Sequence, residues 1–214
     1  MEVLYQDRHL AVVFKERGTP SQPDKSGAAD MTELLRRKIG GGIFCVHRLD
    51  TATEGVMVYA RSSQCAGKLS QALAAPDAEK VYLAVVSGSP GCGEMHDLLL
   101  HDRRLNKSFV VDRKRAGVKE ASLEYKTIAE NDDLSLVKVR LHTGRTHQIR
   151  VQFAHHGWPL AGDGKYGSKI KCPMALCCVS LSFVHPYTKK PMNFIHLPNF
   201  SEFGFDVTEA NIHL

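Results

Sequence analysis

The stretch Cys45-Val46-His47-Arg48-Leu49-Asp50-Thr51-Ala52-Thr53-Glu54-Gly55 is the most informative part of this chain. An apolar run at 42–46 leads into it, and a second apolar run at 56–60 follows directly. This layout predicts two core strands joined by a polar turn that carries one carboxylate beside an arginine. Rigid strands that present a charged loop are a common way to hold a reactive group, although a structural Arg–Asp pair explains the turn equally well.

Composition limits the fold and the partners. A chain of 214 residues, 43% of them hydrophobic, can bury the core of one domain, and we expect a single domain over 1–214. The net charge of +5 is weak evidence by itself, but basic residues crowd one short segment while the region after Leu197 has none. Such asymmetry indicates a positive face for a polyanion. The crowded residues are Arg103, Arg104, Lys107, Arg113, Lys114, Arg115 and Lys119.

The six cysteines and the first residues favour a cytoplasmic protein. No Cys-x-x-Cys pair occurs, and a chain with an adequate core needs no disulfide framework, so we expect reduced thiols. The first residues lack the pattern of a signal peptide, and no apolar run is long enough to span a bilayer. We therefore expect no contact with a membrane, and a monomer is the default assumption.

Hydrophobic periodicity predicts many short strands and two or three separated helices, which is typical of an α+β fold. The expected strands are 3–6, 10–14, 80–87, 108–111, 121–128, 134–141, 175–184 and 192–196, besides the two that flank the opening turn. The expected helices are 31–39, capped by Asp30 or Thr32, a second from Ser62 or Ser63 to before Pro76, and a third at 146–156.

Other motifs give weaker signals. Gly144-Arg145-Thr146 stands at a strand-to-helix junction, where backbone N–H groups favour an anion, although Arg145 and Arg150 could be purely structural. The glycine-rich segment 161–167 does not match a phosphate-binding loop. The histidines show no metal-ligand spacing, so we expect neither a metal nor a cofactor. Taken alone, Tyr82 and Phe109 fit core positions better than base-stacking surfaces.

Three motifs together resemble the RluA-type pseudouridine synthase family. They are His47-Arg48-Leu49-Asp50-x-x-Thr53-x-Gly55, then Lys80-Val81-Tyr82-Leu83-Ala84, then Leu141-x-Thr143-Gly144-Arg145-Thr146-His147-Gln148-Ile149-Arg150. Pro159-Leu160-x-Gly162-Asp163-x-Lys165-Tyr166-Gly167 also matches, and the resemblance extends from Val3 to Pro186. It implies a mixed, largely antiparallel β-sheet with flanking helices and a central catalytic cleft. It leaves no room for the amino-terminal S4-like RNA-binding module of many relatives.

The resemblance also implies roles for individual residues. Asp50 matches the catalytic carboxylate, Tyr82 the tyrosine that stacks on the target uracil, and Arg145 the ionic partner of the aspartate. Substrate RNA, either ribosomal or transfer RNA, would be bound by a wider set of residues. That set is Arg48, His47, Thr53, Arg103, Arg104, Lys107, His147, Gln148 and Arg150.

Three departures from the family pattern leave other functions open. Glu54 stands where the family has serine, Glu16 where it commonly has proline, and Cys178 where a histidine is frequent. A non-catalytic RNA-binding or RNA-folding protein on the same scaffold is therefore the main alternative. A phosphate-handling small-molecule enzyme that uses the 162–167 loop is the third.

Overall fold

The computed structural model describes residues 1–25 and 27–210. The helices in this part are α1 (Met31–Ile39), α2 (Ser63–Ala74) and α3 (Gln148–His155). The strands are β1 (Glu2–Gln6), β2 (Leu10–Lys15), β3 (Phe44–Cys45), β4 (Glu54–Ala60), β5 (Glu79–Ser87), β6 (Cys92–Asp102), β7 (Lys107–Val110), β8 (Val118–Asn131), β9 (Leu134–Leu141), β10 (Leu176–Val184) and β11 (Pro191–Ile195). The described residues form two compact units: a first unit within Met1–Lys80 and Cys177–Pro198, and a second unit of Val81–Leu176 with residues 199–210.

The sheet of the first unit is built on strand β4. Strand β2 pairs with β4 antiparallel from Leu10↔Ala60 to Lys15↔Gly55, and β1 pairs with the other edge of β2. Strand β10 pairs with β4 in parallel at Glu54 and Gly55, β11 extends β10, and β3 pairs with the end of β4. One parallel pair among antiparallel ones makes this a mixed sheet, as predicted.

Alternating residues of β2 and β4 form the core of the first unit. Val12, Val56 and Val58 lie on one face of the sheet, where helix α2 covers them with an apolar stripe that includes Leu69. The helix begins because the Ser62 side chain accepts a hydrogen bond from the Cys65 N–H. Helix α1 begins in the same way, with Asp30 accepting from the Thr32 N–H. Of the two residues that the sequence offered at each helix start, Ser62 and Asp30 are the caps.

The second unit has an antiparallel sheet in the order β5-β9-β8-β6-β7. Helix α3 packs on one face of it, where its Val151 lies in a buried cluster with Leu99, Ala121 and Tyr166. Because side chains alternate along a strand, the residues next to Leu99 and Ala121 point to the other face. This face, opposite α3, includes Leu100 and Val118, which are direct cross-strand partners.

Most predicted elements are confirmed, and two predictions need correction. Strand β6 was not predicted, because its sequence mixes exposed polar residues with few buried ones, such as Met95 and Leu99. Helix α3 begins at Gln148, not at 146, because His147 has a left-handed backbone (φ 56°). The N-cap residue is therefore His147. All six cysteines are free thiols. None of the helices within 1–25 and 27–210 is long and apolar enough to cross a bilayer.

Gly55, the last residue of the opening stretch, is fixed by a close approach of two strands. Its φ is +139°, and a Cβ there would lie 2.5 Å from both the backbone N and the backbone O of Cys178. A side chain would thus force β10 away from β4 at Glu54 and Gly55, where the two strands pair in parallel. Gly55 is therefore required by packing and by backbone conformation together.

We expect Gly55→Ala to lower the free energy of unfolding by at least about 2 kcal/mol, through overlap and backbone strain. Gly67→Ala is the matched control, because Gly67 lies inside α2 with nothing within 4 Å of its added Cβ. That change should instead stabilise by about 0.5–1 kcal/mol. Urea unfolding of both variants measures the difference, and a Gly55→Ala protein as stable as Gly67→Ala would contradict the packing argument.

Candidate active site

In the first unit, the turn that carries Asp50 is closed by its own backbone. The Thr53 N–H donates to the Asp50 carbonyl at 2.9 Å, as in a four-residue β-turn. The Thr53 residue is 2% exposed, and the Asp50 residue is half-buried. Arg48, two residues earlier, is exposed. The turn thus leaves Arg48 accessible to a ligand and makes Thr53 part of the protein interior.

Ser21 fixes the residue that precedes Asp50. Its Oγ donates to the Leu49 carbonyl at 2.7 Å and accepts from the Leu49 N–H at 3.1 Å. The Ser21 carbonyl in turn accepts from the hydroxyl of Tyr59, a fully buried residue of β4. Both backbone groups of Leu49 are therefore satisfied by one side chain that is anchored to the core of the first unit.

Lys15 fixes the residue that follows Asp50. Its side chain has no exposed surface, and its Nζ donates to the carbonyls of Thr19 at 2.7 Å, Glu16 at 3.2 Å and Thr51 at 3.2 Å. The Gly18 N–H also donates to the Thr51 carbonyl, at 2.8 Å. Burial lowers the pKa of the Lys15 ammonium to about 8, and the negative charges of Asp50 and Glu54 oppose this shift.

Glu54, the residue that departs from the family pattern, forms an ion pair. Its Oε1 lies 3.1 Å from the NH2 nitrogen of Arg17, and the two side chains are 15% and 24% exposed. The pair adds a third connection between the segment after β2 and the turn that carries Asp50. It also balances the negative charge that Glu54 adds to this part of the chain.

His47 supports the turn through β4. Its Nε2 accepts a hydrogen bond from the Val58 N–H at 3.0 Å, beyond the short β3–β4 pairing. Burial, assisted by the nearby positive charge of Lys80, lowers the pKa of His47 to about 3. The ring is therefore neutral at physiological pH, which matches its role as an acceptor. The sequence predicted RNA contact for His47, and the structure places its Nε2 in an intramolecular hydrogen bond.

In the second unit, Arg145 lies in the turn between β9 and α3. Its Nε donates to the Glu120 carbonyl at 2.8 Å. Its backbone N–H donates to Oε1 of Gln148, which also accepts from the Thr143 hydroxyl, at 3.0 and 2.7 Å. The Gln148 amide nitrogen donates to the Ser122 carbonyl at 3.1 Å. Gln148, 3% exposed, thus connects this turn to β8 and positions Arg145.

Two further residues predicted to bind RNA are also buried beneath this turn. The His147 ring hydrogen bonds through Nδ1 to the hydroxyl of Tyr166 at 2.9 Å. Arg150 forms a two-point ion pair with Asp163, at 2.6 and 2.9 Å, and its guanidinium lies 5.1 Å from the centre of the Tyr166 ring. These polar atoms of His147, Gln148 and Arg150 face protein partners, and contact of the three residues with RNA stays a prediction.

The remaining sequence-predicted residues fall into buried and exposed groups. Tyr82 lies on β5, paired with Val139, and is 6% exposed. Arg103 and Arg104 are exposed in the turn between β6 and β7, and Lys107 is half-buried at the start of β7.

The glycine-rich segment has a structural use in the second unit. A Cβ on Gly162 (φ +78°) would lie 2.6 Å from the carbonyl oxygens of Cys172 and Pro173, and the next residue, Asp163, is committed to Arg150. These contacts give the segment a structural role that does not involve phosphate binding.

Sequence reasoning missed Lys15, Arg17 and Ser21 as parts of this site. All three lie in or next to a segment that reads as a strand end and an ordinary loop, and their partners are 28 to 37 residues further along the chain. The one available signal was the lysine that directly follows the apolar stretch 10–14, which puts a charge next to the predicted core.

Comparisons with known proteins identify the class to which this fold belongs. The human RNA pseudouridylate synthase domain containing 4 superposes with a TM-score of 0.76 at 23% sequence identity, over 93% of this chain and 89% of that chain. That likeness defines a pseudouridylate synthase fold. A family model described as RNA pseudouridylate synthase matches residues 9–155. The chain belongs to the RNA pseudouridylate synthase family.

Two curated relatives have different named substrates. The ribosomal large subunit pseudouridine synthase D of Xanthomonas campestris is 35% identical over 219 residues, which cover 90% of this chain and 64% of that protein. The tRNA pseudouridine synthase C of Vibrio cholerae is 30% identical over 218 residues, which cover 90% of this chain and 88% of that protein. This chain therefore spans less than two thirds of the length of the ribosomal relative.

The buried ammonium predicts an unusual pH dependence of stability. The Lys15 pKa is about 8 in the folded chain and near the ordinary 10.5 in the unfolded one. Between these values the unfolded chain binds more protons, so this group's contribution to stability rises with pH. Urea unfolding at about pH 7.5 and about pH 10 should show the wild type gaining stability relative to Lys15→Met. Lys126→Met, at an exposed lysine, controls for the loss of one charge. If the free energies of unfolding of wild type and Lys15→Met differ by the same amount at both pH values, the lowered pKa of Lys15 is contradicted.

Proposed function

We propose that this chain is an RNA pseudouridine synthase that converts specific uridines of ribosomal or transfer RNA to pseudouridine in the cytoplasm. The observation that carries the proposal is the Asp50 carboxylate, held on a turn whose two flanking residues are each anchored to buried groups. Family membership supplies the reaction class. The named substrates of the relatives, large-subunit ribosomal RNA and transfer RNA, supply the two candidate classes of RNA.

The reaction requires one carboxylate and no external reactant. The bond between N1 of uracil and C1′ of ribose breaks, the base rotates, and a new bond joins C5 to C1′. The proton lost from C5 is balanced by the proton gained at N1, so the product is an isomer. Asp50 acts at the ribose, by attack on C1′ or by removal of the C2′ proton, and either role requires its charged form.

Tyr82 and Arg145 have complementary roles in this proposal. Tyr82 stacks on the target uracil and keeps the detached base from escaping while it turns. Arg145 pairs with the catalytic carboxylate, and its orientation is supported by the Glu120 carbonyl and by Gln148. Because the residues proposed for one reaction come from both units, we propose that the two units work as one catalytic domain.

The exposed cations provide the contacts to substrate RNA. Arg48 lies beside the catalytic turn, and Arg103, Arg104 and Lys107 belong to the β6–β7 hairpin. Contacts of this kind bind phosphates and weaken with added salt. His47, Thr53, His147, Gln148 and Arg150 support the site from within the protein, in keeping with their intramolecular partners. The non-catalytic alternative loses its main sequence argument, because Arg17 balances the charge of Glu54.

We expect Asp50→Asn to reduce pseudouridine formation by at least about 1,000-fold, because the neutral amide can neither attack the ribose nor accept its proton. The change is nearly isosteric, so unfolding in urea and affinity for RNA should stay close to those of the wild type. Pseudouridine is measured in RNA from cells that lack the gene, after incubation with wild type or variant. A fully active Asp50→Asn protein would refute the proposed mechanism, and an inactive wild type that binds RNA would favour the non-catalytic alternative.

The proposed role of Arg145 predicts sensitivity to a conservative change. Arg145→Lys keeps the charge but loses the Nε donor to Glu120 and the planar fork that suits a carboxylate. We expect single-turnover rates to fall by about 100-fold or more. Arg140→Lys is the matched control, since Arg140 is an exposed arginine on β9 whose NH1 nitrogen pairs with Glu124. Equal rates for the two variants would remove Arg145 from the catalytic group.

A further inference from the structure

The β6–β7 hairpin exposes an unusual share of apolar surface. Among the residues that the structure describes, the large hydrophobic side chains that are exposed are Phe44 at 38%, Leu105 at 62% and Phe109 at 38%. Leu105 lies in the turn of this hairpin, and Phe109 lies on its second strand. A single exposed apolar residue needs no explanation, but two on one short hairpin suggest a use.

Strand geometry defines the surface to which Phe109 belongs. Its neighbour Ser108 is 1% exposed and donates through Oγ to the Thr146 carbonyl at 2.6 Å, so Ser108 points to the face that carries α3. Phe109 therefore points to the opposite face. There it is the direct cross-strand partner of Leu100, which is in turn the partner of Val118. Leu100, Phe109 and Val118 form an apolar row across β6, β7 and β8.

The segment of chain that carries Phe109 and Val118 is strongly basic. Residues 102–119 include seven basic and two acidic residues, a net charge of +5, which equals the net charge of the whole chain. Lys107 places its Nζ 5.7 Å from the centre of the Phe109 ring. One of the two acidic residues, Asp102, accepts hydrogen bonds from the backbone N–H groups of Arg104 and Leu105, so its charge is used to close the hairpin turn.

Strand β8 connects the apolar row to Arg145. Strand β8 carries Val118 at the end of the apolar row and, two residues later, Glu120, whose carbonyl accepts the Arg145 Nε. The Glu120 carboxylate pairs with Lys114 of the basic loop that precedes β8. Arg145 therefore contacts β8 two residues from the end of the apolar row.

We propose that Phe109 is a stacking platform for an unpaired nucleotide of the substrate RNA. An accessible ring flanked by cations is the arrangement that binds single-stranded nucleic acid, because any base can stack on the ring while phosphates meet the cations. A second copy of this chain is a poor partner, since two such surfaces would repel each other. The proposal rests on the proposed function for the identity of the RNA, but it is tested by binding alone.

The test measures affinity for a short, end-labelled single-stranded RNA and for a fully paired RNA duplex of the same sequence. All variants carry Asp50→Asn, so that turnover does not contribute. We expect Phe109→Ala to bind the single strand about 5- to 150-fold more weakly and to bind the duplex unchanged, because paired bases are not free to stack. Phe109→Tyr, which keeps the ring, should bind like the parent. Phe44→Ala is the matched control, since Phe44 is equally exposed but lies outside the basic segment.

Two further measurements separate stacking from packing and from charge. Phe109→Leu keeps apolar contact with Leu100 but has no flat ring, so it should lose affinity for the single strand even if Phe109→Ala fails to fold. A plot of the logarithm of affinity against the logarithm of salt concentration should have the same slope for Phe109→Leu and the parent. Arg103→Gln should make that slope shallower by about 0.7.

Several outcomes would overturn the platform. One is a Phe109→Leu protein that binds the single strand as tightly as the parent does. Another is an equal loss of affinity for the single strand and for the duplex. A third is a change in sedimentation of the protein without a change in its affinity for RNA. The proposed activity fails separately, if the wild type with an intact Asp50 forms no pseudouridine while the Phe109 variants still lose single-strand affinity.

Discussion

The buried ammonium of Lys15 is the interaction on which the geometry of the catalytic turn depends. A charged lysine with no exposed surface is costly, and here three backbone carbonyls and the nearby charges of Asp50 and Glu54 offset that cost. One of those carbonyls belongs to Thr51, the residue after Asp50. The same contact that satisfies the lysine therefore fixes the backbone beside the carboxylate. Without the lysine, the Thr51 carbonyl would keep only its hydrogen bond from the Gly18 N–H.

The two proposed reactive groups are positioned by different means. Asp50 is positioned through the backbone of its neighbours, with Ser21 bonded to Leu49 and Lys15 bonded to Thr51. Arg145 is positioned through a side chain, because Gln148 reaches back from the first residue of α3 to the Arg145 N–H. In both cases the supporting groups are buried and belong to the same unit as the group they support. Such support limits the conformations of a reactive group before substrate binds, which is what orientation in catalysis requires.

Sequence analysis predicted the parts of the fold that depend on local patterns. The alternation of β2 and β4 and the caps Ser62 and Asp30 involve residues close in the chain, and these predictions are confirmed. Strand β6 has a weak pattern because much of it is exposed. The supports of the catalytic turn could not be predicted, since Ser21 and Lys15 act on residues 28 and 36 positions away. No local pattern encodes such a contact.

The motifs that identify the family therefore mix residues of two kinds. In the segment 141–150, Arg145 donates its side chain at an exposed site, whereas Gln148 and Arg150 are buried and paired inside the protein. Glu54 is the opposite case, a residue outside the family pattern that is nevertheless paired within the protein. It breaks the sequence pattern, yet Arg17, which is 37 residues away in the chain, forms an ion pair with it. Arg17, itself half-buried, thus offsets the charge that Glu54 adds to the turn. The departure in sequence comes with a partner for the new charge, so it is no argument against the proposed chemistry of Asp50.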